Sequence, residues 1–117
     1  MTRTEKLIQQ FAHHVAAQTD AIRQGDPKTG NQHAKQYIRA VKALQNLGDQ
    51  GRNALVPLMH EGRDDVRAMA AAFLLRHRND EARRVLEDLA CGEGIVAFEA
   101  GEALKRWEEG TWQLDPA

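Results

Sequence analysis

Apolar residues recur along this chain at three- and four-residue spacing, and no stretch alternates in the strict manner of a half-buried strand. That period predicts an all-α protein of six helices. The first runs from about Thr4 to Gln24, with Thr2 and Glu5 spaced as a capping box, and turns Leu7, Ile8, Phe11, Val15 and Ile22 inward. A cluster of breakers from Gly25 to Gly30 ends it, so Asn31 is expected to cap the second helix, which carries Tyr37, Ile38, Val41, Leu44 and Leu47 and stops at Gly48 to Gly51. A third, from about Arg52 to Glu61, contains Pro57, which removes one backbone donor and kinks the helix or confines it to its first turns.

Asp64 or Asp65 is expected to start the fourth helix, Val66 to His77. Its run from Ala68 to Leu75 is apolar nearly all round, so neighbours should cover it on most sides. Asn79 and Asp80 are read as the cap of the fifth, with Ala82, Val85, Leu86 and Leu89 ahead of Gly92-Glu93-Gly94. The sixth spans Ile95 to Glu109, buries Val96, Phe98, Ala100, Ala103, Leu104 and Trp107, and closes at Gly110. One domain, 1–117, is expected, with hairpins at about 4–47, 52–77 and 80–109 and a tail at 110–117.

A shift of 30 residues brings these elements into register. Ala40, Ala70 and Ala100 then coincide, as do Leu44, Leu74 and Leu104; Val66 meets Val96, Leu55 meets Val85 and Met59 meets Leu89. A small residue with a Leu four positions later is what close packing between adjacent hairpins requires.

The segment Asp65-Val66-Arg67-Ala68-Met69-Ala70-Ala71-Ala72-Phe73-Leu74 resembles the second helix of a HEAT repeat, and the stretch with Leu55, Pro57 and Leu58 is similar to the first. The chain also resembles an uncharacterised bacterial family of short HEAT-like, ARM-repeat-type proteins, on Ala54 to Met59, the Asp65 helix, Ala82-Arg83-Arg84-Val85-Leu86 and the ending Ala103 to Trp112. The resemblance implies three stacked helical hairpins in a right-handed α-α superhelix. It carries over no activity.

Composition narrows the functional classes. With 42% hydrophobic and 28% charged residues the chain is an ordinary globular protein, and its mean hydropathy of −0.61 leaves no run fit to cross a membrane. The start, Met1 to Lys6, shows no secretory h-region, so a cytoplasmic location is expected. A net charge of −1 argues against nucleic-acid binding through bulk positive charge. The charge is uneven, however: residues 1–61 hold eight basic and five acidic side chains, and residues 62–117 hold eight and twelve. That polarity also permits head-to-tail self-association.

Chemical motifs are sparse. His60-Glu61 is weighed first, because deoxyhypusine hydroxylases, which are HEAT-like, hold two irons with several His-Glu pairs; here Ala90-Cys91 and Gly30-Asn31 stand where the further pairs would fall. His13 and His14 are adjacent and point about 100° apart on a helix, which suits solvated or capping roles. His33 and His77 have no carboxylate or Cys at ligand spacing. Gly25 and Gly30 have the glycine spacing of a phosphate-binding loop but are followed by Asn31 and Gln32, with no strand before them. The chain contains no Ser, which excludes a Ser-His-Asp triad, and its single Cys91 is expected to pack at a helix end. Trp107 is read as buried and Trp112 as folding back over the last hairpin.

The even-numbered helices present the most informative surface. Lys35, Arg39 and Lys42 fall at i, i+4 and i+7 opposite the apolar face of the second helix, and the 30-residue shift equates them with Asp65, Met69 and Ala72, then with Ile95, Glu99 and Glu102. The expected function is a non-catalytic interaction module, of adaptor or immunity type, that holds a protein partner through Lys35, Arg39, Lys42, Met69, Arg76, Glu99 and Glu102, with no cofactor and no catalytic residue. The alternatives are a metal-dependent enzyme centred on His60-Glu61 and a weak nucleic-acid binder.

Overall fold

The computed structural model describes residues 2–60 and 62–110. These form six α-helices, α1 (Arg3–Arg23), α2 (Pro27–Gln45), α3 (Asp49–Ala54), α4 (Asp64–Phe73), α5 (Asn79–Ala90) and α6 (Ile95–Glu109), with a 3-10 turn at Val56–Met59 between α3 and α4. The fold is all-α, as the periodicity predicts. The chain divides into two compact units, Met1–Leu55 and Val56–Ala117.

In the first unit α1 and α2 form an antiparallel hairpin. Thr2 caps α1 through its Oγ1, which accepts the Glu5 amide at 3.1 Å. At the other end Gly25 takes φ +78°, a left-handed conformation that costs glycine little. Its amide reaches the Ile22 carbonyl and that of Asp26 reaches Ala21, which together make a Schellman cap. Asp26 also starts the next helix: its Oδ1 accepts the Thr29 amide at 3.2 Å and its Oδ2 the Thr29 hydroxyl at 2.7 Å. The second helix therefore begins at Pro27, four residues before the expected Asn31, because proline in the first turn has no amide to lose. The hydroxyl bond, followed by the amide bond, holds the Asp26 carboxyl below its usual value.

The hairpin's core forms where the buried faces meet. Phe11 and Val15 of α1 and Tyr37, Val41 and Leu44 of α2 are all buried, with the Phe11 and Tyr37 rings edge to face at 6.1 Å. Burying a side chain such as Phe11 contributes about 2–3 kcal/mol. Gly30, buried inside α2, faces Ile22 and Gln18 of α1, where a Cβ would stand 3.4 Å from Ile22 Cγ1, at van der Waals contact. Leu47, expected in this core, lies past the end of α2 and is exposed.

α3 is short and pressed against the end of α2. A Cβ on the buried Gly51 would lie 1.8 Å from the Leu44 carbonyl oxygen, so only glycine admits this approach. The expected third helix, 52–61, is thus a different object: α3 starts earlier, and Pro57 stands in the 3-10 turn that follows.

In the second unit α4 packs on the 3-10 turn, on α5 and on α6, and α5 packs on α6. α4 buries Asp65, Val66, Ala68 and every residue from Ala70 to Phe73. It ends at Phe73 rather than His77, with Leu74 and Leu75 fully buried in the turn beyond it. Asn79 does not cap α5: its Nδ2 donates back to the Leu75 carbonyl at 3.1 Å, and Arg78 occupies the cap position. Asp65 is the buried charge of the unit. The Arg63 guanidinium clasps it with two bonds of 3.2 and 3.1 Å, and the Val66 amide donates to its Oδ1 at 2.8 Å. Arg67 reaches back to the Met59 carbonyl at 3.1 Å and ties the 3-10 turn to α4.

α6 matches its expected bounds and ends on Gly110 in the left-handed conformation. Its buried residues are Ala97, Ala100 and Ala103, with Val96, Leu104 and Trp107 half-buried. Phe98, expected inside, is 68% exposed. The three alanines brought together by the 30-residue shift, Ala40, Ala70 and Ala100, are all buried.

Gly51→Ala should lower the stability of the full chain by about 3 kcal/mol, because a backbone oxygen, unlike a side chain, has no rotamer with which to yield. Urea denaturation followed by circular dichroism checks this, and an unchanged midpoint would contradict the close approach of α3 to Leu44.

Candidate functional site

α2 is an amphipathic helix with an unusual polar face. Tyr37, Ala40, Val41 and Leu44 are sealed in the core, while Lys28, Lys35, Arg39 and Lys42 are exposed at i, i+7, i+11 and i+14. These positions share one face and span about 21 Å of helix at the standard rise. α2 contains no Asp or Glu, so none of the four cations has an acidic neighbour at i±3 or i±4 on its own helix. Three of them are residues singled out from the sequence; Lys28 was missed because the helix starts earlier than expected.

The other residues singled out from the sequence fall in the second unit. Met69 is half-buried on α4, and Arg76 is exposed in the turn after α4. On α6 Glu99 is exposed and Glu102 half-exposed, with Phe98 one turn before Glu102 and Ile95 one turn before Phe98. Phe98, which sequence periodicity places in the core, is thus an exposed apolar side chain on α6. Partial burial of the Glu99 carboxyl, and then the charge of Asp65, push its pKa above the usual carboxylate value.

His60 occupies a cleft of about 580 Å³ in the same unit, lined by Arg67, Asp80, Glu81, Arg84, Val85 and Asp88. Its Nε2 is 2.5 Å from Glu81 Oε2. The pairing partner is thus Glu81 of α5, and Glu61, the neighbour weighed from sequence, lies outside the described residues. With opposite charges on its walls and both members of the pair at least one-third exposed, the cleft lacks the dry, single-signed interior that concentrates charge on a reacting group. Among the described residues no group of three or more His, Cys, Asp or Glu is arranged to hold a metal ion.

The other histidines behave differently from their sequence reading. His13 and His14 of α1 and His33 of α2 gather on the hairpin seam, and His14 Nδ1 lies 2.9 Å from His33 Nδ1. Burial, then the neighbouring His13 and His33, lower the pKa of His14. His33, which has no carboxylate or Cys at ligand spacing, meets His14 across the seam. Spacing along the chain carries no signal for this pair: it follows only from the antiparallel register that sets Phe11 against Tyr37, one turn away. Cys91, expected to be packed, is exposed at the end of α5. Trp107 is half-buried, and Trp112 lies outside the described residues.

No protein-family model matches the chain, and no curated protein matches it. It is similar to the protein RPA1889 from Rhodopseudomonas palustris CGA009, whose crystal structure aligns with a TM-score of 0.88 over 100% of this chain and 96% of that one, at 24% sequence identity. At that identity the likeness shows a shared all-α fold and does not extend to activity. No helix among the described residues is long and apolar enough to cross a membrane.

The His60–Glu81 pair is solvent-accessible on both sides, so it contributes little to the fold. His60→Ala should change the unfolding free energy by less than about 1 kcal/mol in thermal denaturation, and a larger loss would assign the pair a structural role.

Proposed function

We propose that this chain is a non-catalytic protein–protein interaction module, of adaptor or immunity type, that works in a bacterial cytoplasm and takes an acidic partner surface through α2. The observation that carries the reading is the uncompensated cationic stripe of Lys28, Lys35, Arg39 and Lys42. Four like charges on one face repel one another, and nothing on their own helix offsets that cost. A complementary surface offsets it and steers encounter, an effect that weakens with salt. The net charge of −1 favours a protein partner over nucleic acid, because the rest of the chain opposes a polyanion carrying many phosphates.

The HEAT-like reading of the hairpins belongs to the same proposal. Burial of Ala40, Ala70 and Ala100 supports it, as does the bond from Arg67 to the Met59 carbonyl, through which the Asp65-Val66-Arg67 start of α4 holds the preceding turn. On that reading Met69 on α4, Arg76 in the turn after it, and Glu99 and Glu102 on α6, with Phe98 on the same helix, are the second unit's own partner-binding residues.

The triple reversal Lys35→Glu, Arg39→Glu and Lys42→Glu should abolish capture of the partner from lysate while leaving the thermal midpoint within a few degrees of the parent, since all three side chains are exposed. Identical proteins captured by the parent and the variant, identified by mass spectrometry, would remove α2 from the binding surface.

A further inference from the structure

His14 and His33 sit at the α1–α2 seam one turn along from the Phe11–Tyr37 contact, where the two helices are already held together by their apolar faces. Their ring centroids are 5.2 Å apart and their Nδ1 atoms 2.9 Å apart. The excess of the first distance over the second is about the width of one ring, so the two nitrogens lie head-on between the rings. Head-on nitrogens at hydrogen-bond distance fit a single proton between them, one nitrogen donating and the other accepting. They do not fit a chelate, in which both lone pairs converge on an ion off that line.

The surroundings disfavour further positive charge. On α1, the His13 ring centroid is 4.9 Å from that of His14 and 6.4 Å from that of His33. Lys6 lines the same shallow groove as His13 and His14, together with Gln9 and Gln10, and no carboxylate lines it. From α2 the group facing His14 is His33 itself. α3, which packs on both helices, carries Asp49 and Arg52, and these pair with each other at 3.5 Å.

We propose that His14 and His33 form a proton-operated latch across the α1–α2 hairpin, closed while their facing Nδ1 atoms share one proton and released when each carries its own. In the neutral pair the donor ring is protonated at Nδ1 and the acceptor ring at Nε2. The first proton taken up goes to the free Nε2 of the donor ring and leaves the bond intact. The second must go to the acceptor's Nδ1, which turns two cationic donors against each other.

The depressed pKa of His14 agrees in sign. A base whose folded value lies below its ordinary 6.5 contributes its full stability above that pH and loses it as the pH falls through the folded value. The latch therefore acts on the helix pair that carries the cationic stripe of α2, and it stands whether or not that stripe binds a partner.

Hydrogen exchange of the full chain, read by mass spectrometry in EDTA, tests this between about pH 7.5 and pH 5, the range in which histidine charge changes. After correction for intrinsic exchange rates, protection across residues 3–45 should fall on acidification and recover on return, while residues 64–109 hold theirs. His33→Leu should lose that fall. A wild type with pH-independent protection, or the same fall in His33→Leu, overturns the latch. Should the variant fail to fold, nitrogen NMR of the wild-type imidazoles decides: one Nδ1–H and one Nε2–H tautomer near neutral pH supports the shared proton, and two Nε2–H tautomers overturn it.

Discussion

The two faces of α2 are under opposite constraints, and most of what is distinctive in the first unit follows from that. One face must be small and apolar enough to lie against α1, which it achieves with Gly30 opposite Gln18 and Ile22, Tyr37 on Phe11, and Val41 and Leu44 in the core. The same helix must admit α3 against the backbone of Leu44, which only Gly51 allows. The outer face then carries no packing obligation and holds only cations and neutral polar residues. A helix so firmly seated on one side can present unneutralised charge on the other without unfolding.

The second unit is organised around a different element. α4 is buried nearly all round, and its one charged core residue, Asp65, is satisfied by Arg63 and by the Val66 amide rather than left as an orphan. Such a carboxylate is costly to isolate, so it acts more to define the turn between the 3-10 segment and α4 than to add net stability. Its charge is also felt on α6, where it contributes to holding the Glu99 carboxyl above its ordinary pKa.

Much of the fold was legible in residue spacing, and the exceptions have physical causes. Thr2 with Glu5, the bounds of α6 and the Gly110 cap followed from local chemistry alone. The start of α2 was misplaced because Gly25, Asp26, Pro27 and Gly30 are all breakers in isolation, although Asp26-Pro27-Lys28-Thr29 is a cap with proline in the first turn. The end of α4 was overrun because Leu74 and Leu75 continue the apolar pattern while buried in a turn, where periodicity carries no information. Phe98 was placed inside on hydrophobicity, whereas the buried face of α6 is lined by the small residues Ala97, Ala100 and Ala103. Of the candidate site, the cations of α2 could be read from the chain. The partners of His14 and His60 could not, since both lie about twenty residues away on another helix.

On the proposed function, α2 offers an acid-seeking surface whose opposite face is closed by α1. Nitrogen–proton correlation spectra of the full chain, titrated with a glutamate-rich peptide at low and at high salt, test that claim most directly. Shifts confined to the exposed positions of α2 around Lys28, Lys35, Arg39 and Lys42, and lost at high salt, are the predicted result. Shifts centred on the His60 cleft, or none at any position of α2, would contradict it.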